Sequence, residues 1–386
     1  MREVAILGVG QTPVAEHWDK SMKQLAGEAI LAALRDAGVG HADALFVGNM
    51  LSETINRQQN LGALVAQEVG LRGIEAVKVD AACGSGASAF RAGLIAVTSG
   101  AVDIVIVAGV EKMSDSVGDE VTAALATAAD ADFEAAMGLS FVAINALVMQ
   151  RYIDAFGWKH ADFAPFAINA HANGQHNPFA RLRHAVTEKE YERARMVADP
   201  INLLDASPTG DGAAAAILAP VDIARRRGGA KPIVTIAASA AATDSIAIHD
   251  RHDPLTLMAS KLSADKAYAA AGVGPADIDV FELHDAFSIM AALSLEAAGF
   301  AERGQGPRMG LENQIGPTGK VPVATFGGLK ARGHPVGATG MYQIVEVYRQ
   351  LIGEGGATQV PGAKIGMAQN IGGSGAAIIT HILTTG

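Results

Sequence analysis

The sequence is poor in cysteine, in aromatic residues and in long apolar runs, and each shortage excludes something. Of 386 residues one is cysteine, Cys83, so neither an internal disulfide framework nor a cysteine-based zinc cluster can form, which fits a reducing cytoplasm. No run reaches the length of a membrane-spanning helix. The start, MREVAILGVG, carries only a short apolar run ending in glycine and reads as a first strand rather than a signal peptide. Positive charge is also short. Thirty Lys and Arg face forty Asp and Glu, a net charge of -10, which argues against general nucleic-acid binding. The run Arg225, Arg226, Arg227 reads as a solvated helix end, where cations are ordinary.

Glycine and apolar residues are abundant. Forty-four glycines and 49% hydrophobic residues suit a large, tightly packed α/β core of two or three domain-sized units. Short apolar runs alternate with longer amphipathic segments, the signature of βαβ units around mainly parallel sheets. The pattern occurs twice. VAILGV near the start matches KPIVTIAAS at 231 to 239, and ALFVGNM at 44 to 50 matches IDVFELHDAF at 278 to 287. DAACGSGASAF at 80 to 90 then matches ATFGGLKARGHPVGATG at 324 to 340, and DIVIVAGVEKMS matches AKIGMAQNIGG. The order predicts a duplicated α/β unit: residues 1–113 with 205–228 as one half, 229–386 as the other, and 114–204 as an inserted loop domain that covers a site.

Three residues invite chemistry. Cys83 ends a β-rich run and opens a helix, where free amides and the helix dipole are expected to stabilise a thiolate and lower the thiol pKa. His334 sits among Gly327, Gly328, Gly333, Gly337 and Gly340, five glycines in fourteen residues, in a loop that can bring it to a cysteine as base and hydrogen-bond donor. His284 follows a predicted strand end, where open α/β sheets bind ligands, with Asp285 beside it to orient the loop. The alternatives are a buried apolar cysteine, a structural histidine and a helix-capping histidine. HDRHD at 249 to 253 resembles a metal site, but its groups would have to converge within one short loop. The early GVG lacks the third glycine of a dinucleotide fingerprint, having Pro13 there, and no P-loop is present.

DAACGSGASA, AGVEKMS at 108 to 114, HNPFARLR at 176 to 183, DGAAAAIL at 211 to 218, HDAF at 284 to 287, GHPVGATG at 333 to 340 and NIGGSGAA at 370 to 377 occur in that order. With them the chain resembles the thiolase superfamily over essentially its whole length, and within it the sterol-carrier-protein-2-type and archaeal-type thiolases. The resemblance implies a duplicated βαβαβ fold, layered α/β/α/β/α, with an inserted loop domain. It implies an acyltransferase that condenses two acyl-CoA molecules, such as acetyl-CoA to acetoacetyl-CoA, or cleaves a 3-ketoacyl-CoA with coenzyme A. Cys83 would be the acylated nucleophile. His334 would activate it and, with His284, form one oxyanion hole; the amides of Cys83 and Gly372 would form the other. Asn370 and Gly333 would border the substrate. Asn370 stands where many thiolases carry a second, acid/base cysteine, and Ala286 where sterol-carrier-type members offer another, so a histidine, His284 or His334, would have to take the α-proton.

The resemblance further implies no metal or redox cofactor beyond the coenzyme A thioester itself, a dimer or tetramer of this chain, and an OB-fold partner with a zinc ribbon. Retro-aldol cleavage of a coenzyme A ester, ketoacyl-synthase-like condensation and non-catalytic acyl-CoA or lipid binding are the competing readings.

Overall fold

The computed structural model describes residues 2–228 and 231–385. The junction expected between 228 and 229 therefore borders residues outside the described part. The chain first lays down β1 (Val4–Gln11), α1 (Met22–Ala37), β2 (Ala44–Gly48), α2 (Leu61–Glu68), β3 (Glu75–Val79), α3 (Ser85–Ser99) and β4 (Val105–Glu111). The first helix starts and stops where local chemistry says it should. Ser21 and Gln24 form a capping box at the head of α1, and Gly38, at φ 57°, ends it in the left-handed conformation that glycine adopts without strain.

After β4 come α4 (Gly118–Ala126), α5 (Phe141–Phe156), α6 (Ala164–Gly174), α7 (Glu188–Arg193) and a small hairpin of β5 (Met196–Ala198) and β6 (Ile201–Asn202). The first set of strands then closes with β7 (Gly212–Pro220) and α8 (Val221–Arg227). The remainder comprises β8 (Val234–Thr243), α9 (Met258–Ala271), β9 (Val280–Glu282), α10 (Ser288–Ala297), α11 (Gly306–Leu311), α12 (Thr339–Leu351), β10 (Ile365–Gly372) and β11 (Ala377–Thr385).

Nine strands form one sheet in the order β3-β2-β4-β7-β1-β8-β11-β10-β9. Read outward from the β1–β8 seam, where Ala5 pairs Thr235 and Ile6 pairs Val234, the two sides repeat. β1, β7, β4 and β2 on one side answer β8, β11, β10 and β9 on the other. Within each side one strand, β7 or β11, runs against the rest. The counterpart of β3 is reduced to a single parallel bridge from Val323 to Phe281. The repeat read from sequence is therefore a repeat of topology.

The helices α3 and α12 pack on each other and on strands from both sides, so they form the middle layer. On the outer faces lie α1 and α2 against the first half and α9 against the second. The inserted helices pack across the junction. Met149, Tyr152, Phe163 and Phe166 join one apolar cluster with Phe281, Leu283 and Ile289. Among the described residues no helix is long and apolar enough to cross a membrane.

Candidate active site

The mirrored topology puts the start of α3 opposite the loop that leads into α12. Between Val79 and α3 the chain turns through Ala82, at φ 53°. Ser85 and Asp80 hold this turn: the Ala81 amide donates to Ser85 Oγ at 2.9 Å, the Ala82 amide to Asp80 Oδ1 at 2.9 Å, and the Ser85 hydroxyl to the Ala82 carbonyl at 2.6 Å. The turn presents Cys83 to a cavity of about 190 Å3 lined also by His284, His334, Ala286, Phe287, Met290, Ser207, Thr209, Val336, Gly373 and residues of α4 and α5. The cysteine and both histidines singled out from the sequence are thus brought together.

The thiol is not the stabilised thiolate expected of a helix N-terminus. Burial pushes Cys83 up to about 12, and the carboxylates of Glu111 and Asp80 add to the shift, against a lowering hydrogen bond from the Gly373 amide. Desolvation and two negative neighbours outweigh the helix dipole here. A base must therefore take the proton as the sulfur reacts.

Both histidines are neutral in the fold. Burial draws His284 down to about 3 and His334 well below the ordinary range, the charge of Arg332 adding to each. Their rings meet edge to face, centroids 5.1 Å apart. The hydrogen-bond pattern then distinguishes them. His284 Nδ1 accepts from Asn370 Nδ2 at 3.0 Å and from the Ile371 amide at 3.4 Å, so the ring proton resides on Nε2. His334 Nδ1 lies 2.6 Å from Thr339 Oγ1, and that hydroxyl has the Pro335 carbonyl at 3.4 Å as its acceptor. The hydroxyl has two acceptors in reach; when it donates to the Pro335 carbonyl, Nδ1 donates to Thr339 and Nε2 keeps its lone pair. His284 therefore presents a donor, and in that tautomer His334 presents an acceptor.

Asn370 and Gly333, expected to border the substrate, and Gly372, expected to supply an oxyanion-hole amide, are not among the residues that line the cavity. Asn370 is buried behind His284. Gly372 lies beside the cysteine turn, where a side chain would strike the Ala81 carbonyl at 2.2 Å, and its neighbour Gly373 faces the sulfur. Gly333, at φ 105°, lets the backbone turn into His334 where a Cβ would meet Val14 at 2.7 Å. Asp285 does orient its loop, accepting from the Leu329 amide at 2.7 Å.

Other groups were not singled out. Glu111, fully buried and raised to about 7 by burial, accepts from Asn49 Nδ2 and from the amides of Met50, Leu51 and Gly337 at 2.8 to 3.1 Å. It therefore ties the strand before the inserted region to the His334 loop, and its motif AGVEKMS was the only signal. Behind the histidines, Arg332 lies 2.8 Å from Glu346 and over the Tyr342 ring, and buried Lys330 donates to the Asp205 carbonyl. Lone charged residues in a glycine-rich string do not advertise such partners.

HDRHD is explained without a ligand. Arg251 donates to the Ser374 carbonyl at 2.8 Å, and Asp253 caps Leu255 and pairs with Arg303 at 2.6 Å. Among the described residues no group of three or more His, Cys, Asp or Glu is placed to hold a metal ion. Arg225, Arg226 and Arg227 end α8 at the surface, with Glu3, Asp222 and the Gly38 carbonyl as partners.

Comparison with known proteins bears on the whole chain. A family model for the N-terminal domain of thiolase matches residues 4–222, and one for a thiolase C-terminal domain-like unit matches 240–385. Acetyl-CoA acetyltransferase of Methanothermobacter thermautotrophicus is 44% identical, with all of each chain covered. The protein of that name from Methanocaldococcus jannaschii is 36% identical over all of this chain and 99% of its own. Human sterol carrier protein 2 is 31% identical over 98% of this chain and 72% of its own. A solved structure, the Ltp2-ChsH2(DUF35) aldolase, shares the fold at a TM-score of 0.85 and 22% identity, covering 99% of this chain and 98% of that one. With both family models in sequence order, full-length relatives and a cysteine facing two histidines, this chain belongs to the thiolase family.

Proposed function

We propose that the protein transfers an acyl group between coenzyme A thioesters by way of a thioester on Cys83, joining two acetyl-CoA molecules into acetoacetyl-CoA or running the reverse thiolysis. The observation that carries this reading is the cavity itself: Cys83, His284 and His334 line it together, and the donors on His284 Nδ1 leave that ring's N–H on Nε2. In the first half, His334 Nε2 takes the Cys83 proton as sulfur attacks the thioester carbon. The amides at Cys83 and Gly373 receive the oxyanion, the carbon–sulfur bond to coenzyme A breaks, and the proton passes from His334 to the leaving thiolate. In the second half, the carbonyl oxygen of a new acetyl-CoA accepts from His284 Nε2–H while His334 removes its α-proton. The enolate attacks the acyl carbon, and the Cys83 thiolate leaves and regains the proton.

The scheme needs no metal or redox group. Acetyl-CoA as the substrate is supported by the names of the two archaeal relatives, and a cavity of about 190 Å3 suits a short acyl group. The same reading includes a homo-oligomer and an OB-fold, zinc-ribbon partner in a cytoplasmic setting. Phe133 and Met137, exposed in the insertion just before the cavity-lining start of α5, supply apolar surface for such an assembly. Retro-aldol cleavage requires no acyl-enzyme, and the enclosure of Cys83 by base and donors favours acyl transfer over it.

Intact-mass measurement after brief exposure to acetyl-CoA tests the reading. Wild type gains one acetyl group, about 42 Da, and Cys83→Ala does not. An unchanged wild-type mass, with an OB-fold partner present as well as absent, would overturn it.

A further inference from the structure

The stretch Asp205–Asp211, DASPTGD, touches both histidine loops through its backbone. At its start Ala206 bridges Phe287, the Ser207 amide donates to the Ala286 carbonyl at 2.8 Å, and the Ser288 amide donates to the Asp205 carbonyl at 3.0 Å. Further on, Thr209 bridges His334, whose amide donates to the Pro208 carbonyl at 3.0 Å. The residues just after His284 and His334 itself are therefore registered on one short strand.

Each end of that strand is a fully buried carboxylate that does not line the cavity. Asp205 lies 2.7 Å from His160 Nε2, and accepts the Tyr191 hydroxyl at 2.5 Å and the Asn202 amide at 2.9 Å. Asp211 pairs with buried Lys112 at 3.0 Å and accepts the amides of Met113, Ser114 and His17 at 2.7 to 2.9 Å. Burying a carboxylate is costly unless its oxygens are filled. Here both are filled, at the two points where the strand leaves the site.

We propose that Asp205–Asp211 is a tie that sets the spacing and tilt of His284 against His334, with Asp205 and Asp211 as positioning residues; this rests on the roles given to the histidines above. The Asp205 end adjoins the His284 loop, and the Pro208–Thr209 contacts hold His334 nearer the other end. Loosening Asp205 therefore disturbs the α-proton step more than the acylation of Cys83.

Two variants of the full chain test it. Asp205→Asn keeps shape and removes charge; Tyr191→Phe removes one hydrogen bond and keeps the packing. Exchange of acetyl-CoA methyl protons into deuterated water reads the α-proton step, and the rate of acetyl addition to Cys83 reads acylation. Both are normalised to the number of Cys83 sites that acetylate to completion, which counts folded protein. The tie predicts an exchange rate down by about ten-fold, the cost of a misplaced catalytic group, with acylation changed far less. Equal loss of both rates, or no loss in either variant, overturns the tie and leaves the carboxylates a purely structural role. Wild type that neither acetylates nor exchanges removes the acyl-transfer reading, and the tie falls with it. Wild type that does both while the variants match it removes the tie alone.

Discussion

Two donors outside the cavity, Asn370 Nδ2 and the Ile371 amide, decide which nitrogen of His284 carries the proton. Asn370→Ala leaves only the longer of them. The α-proton step should then slow by roughly 10- to 100-fold, less than the loss of an oxyanion donor outright, while acetylation of Cys83 continues at nearly the wild-type rate; deuterium exchange and mass measurements separate the two. At this scale the candidate groups were legible in sequence because acyl transfer through a protein thioester needs a thiol and a base, and Cys83 offers the only thiol. Their protonation was not legible. The position of Cys83 at a helix start pointed to a lowered pKa, whereas Glu111, distant in sequence and fully buried, helps to raise it.

Among the elements, α3 and α12 matter most, since they carry the cysteine turn and follow the histidine loop. They approach so closely that a side chain on Gly340 would lie 2.4 Å from the Ala87 amide nitrogen and 2.6 Å from Asn370 Oδ1. Backbone cannot yield as a flexible side chain does. Gly340→Ala should cost about 1–3 kcal/mol in chemical denaturation, the usual price of overpacking, and should disturb Asn370 as well. Gly118→Ala, at the open start of α4 with nothing within 4 Å, is the control and should change stability by less than about 0.5 kcal/mol. The glycine string from 327 to 340 announced close approach in sequence. What it approached, α3 and the carboxylates of Asp285 and Glu111, was set by the packing of one half on the other.

Across the whole molecule, buried titratable groups of opposite tendency share the junction between halves. His284 and His381 are drawn to about 3 by burial, while Glu111 and Glu282 are raised to about 7 by the same cause. The signs oppose. A histidine kept neutral in the fold is protonated more readily when unfolded, so its contribution is intact above about pH 6.5 and is lost as pH falls toward 3. A carboxyl kept protonated in the fold contributes below about 4.5 and loses this as pH rises through 7. Between about pH 4.5 and 6.5 these two contributions offset each other, and single variants expose them separately. His381 packs edge-on to Phe90 and lies 3.2 Å from the Ala87 carbonyl. For His381→Phe, the stability lost between pH 7 and pH 5 should be smaller than in wild type by about 2 kcal/mol, read from denaturation midpoints at both pH values. An identical loss would show that His381 does not titrate with unfolding.

By itself the sequence determined the alternation of strands and helices, the duplicated order of segments, the insertion before DGAAAAIL, and the identity of the thiol and the two histidines. These follow from local rules: periodicity, turn residues and the few side chains able to perform the chemistry. Only the tertiary structure decided that the β1–β8 seam joins the halves into one sheet, that Asn370 Nδ2 donates to His284 Nδ1, and that Gly373 adjoins the sulfur. It also decided that Glu111, Asp205 and Asp211 hold the histidine loops in register. Burial, protonation and hydrogen-bond direction at these positions depend on residues far apart in sequence, 86 positions for Asn370 and His284 and 226 for Glu111 and Gly337, and no local pattern encodes which of them folding brings into contact.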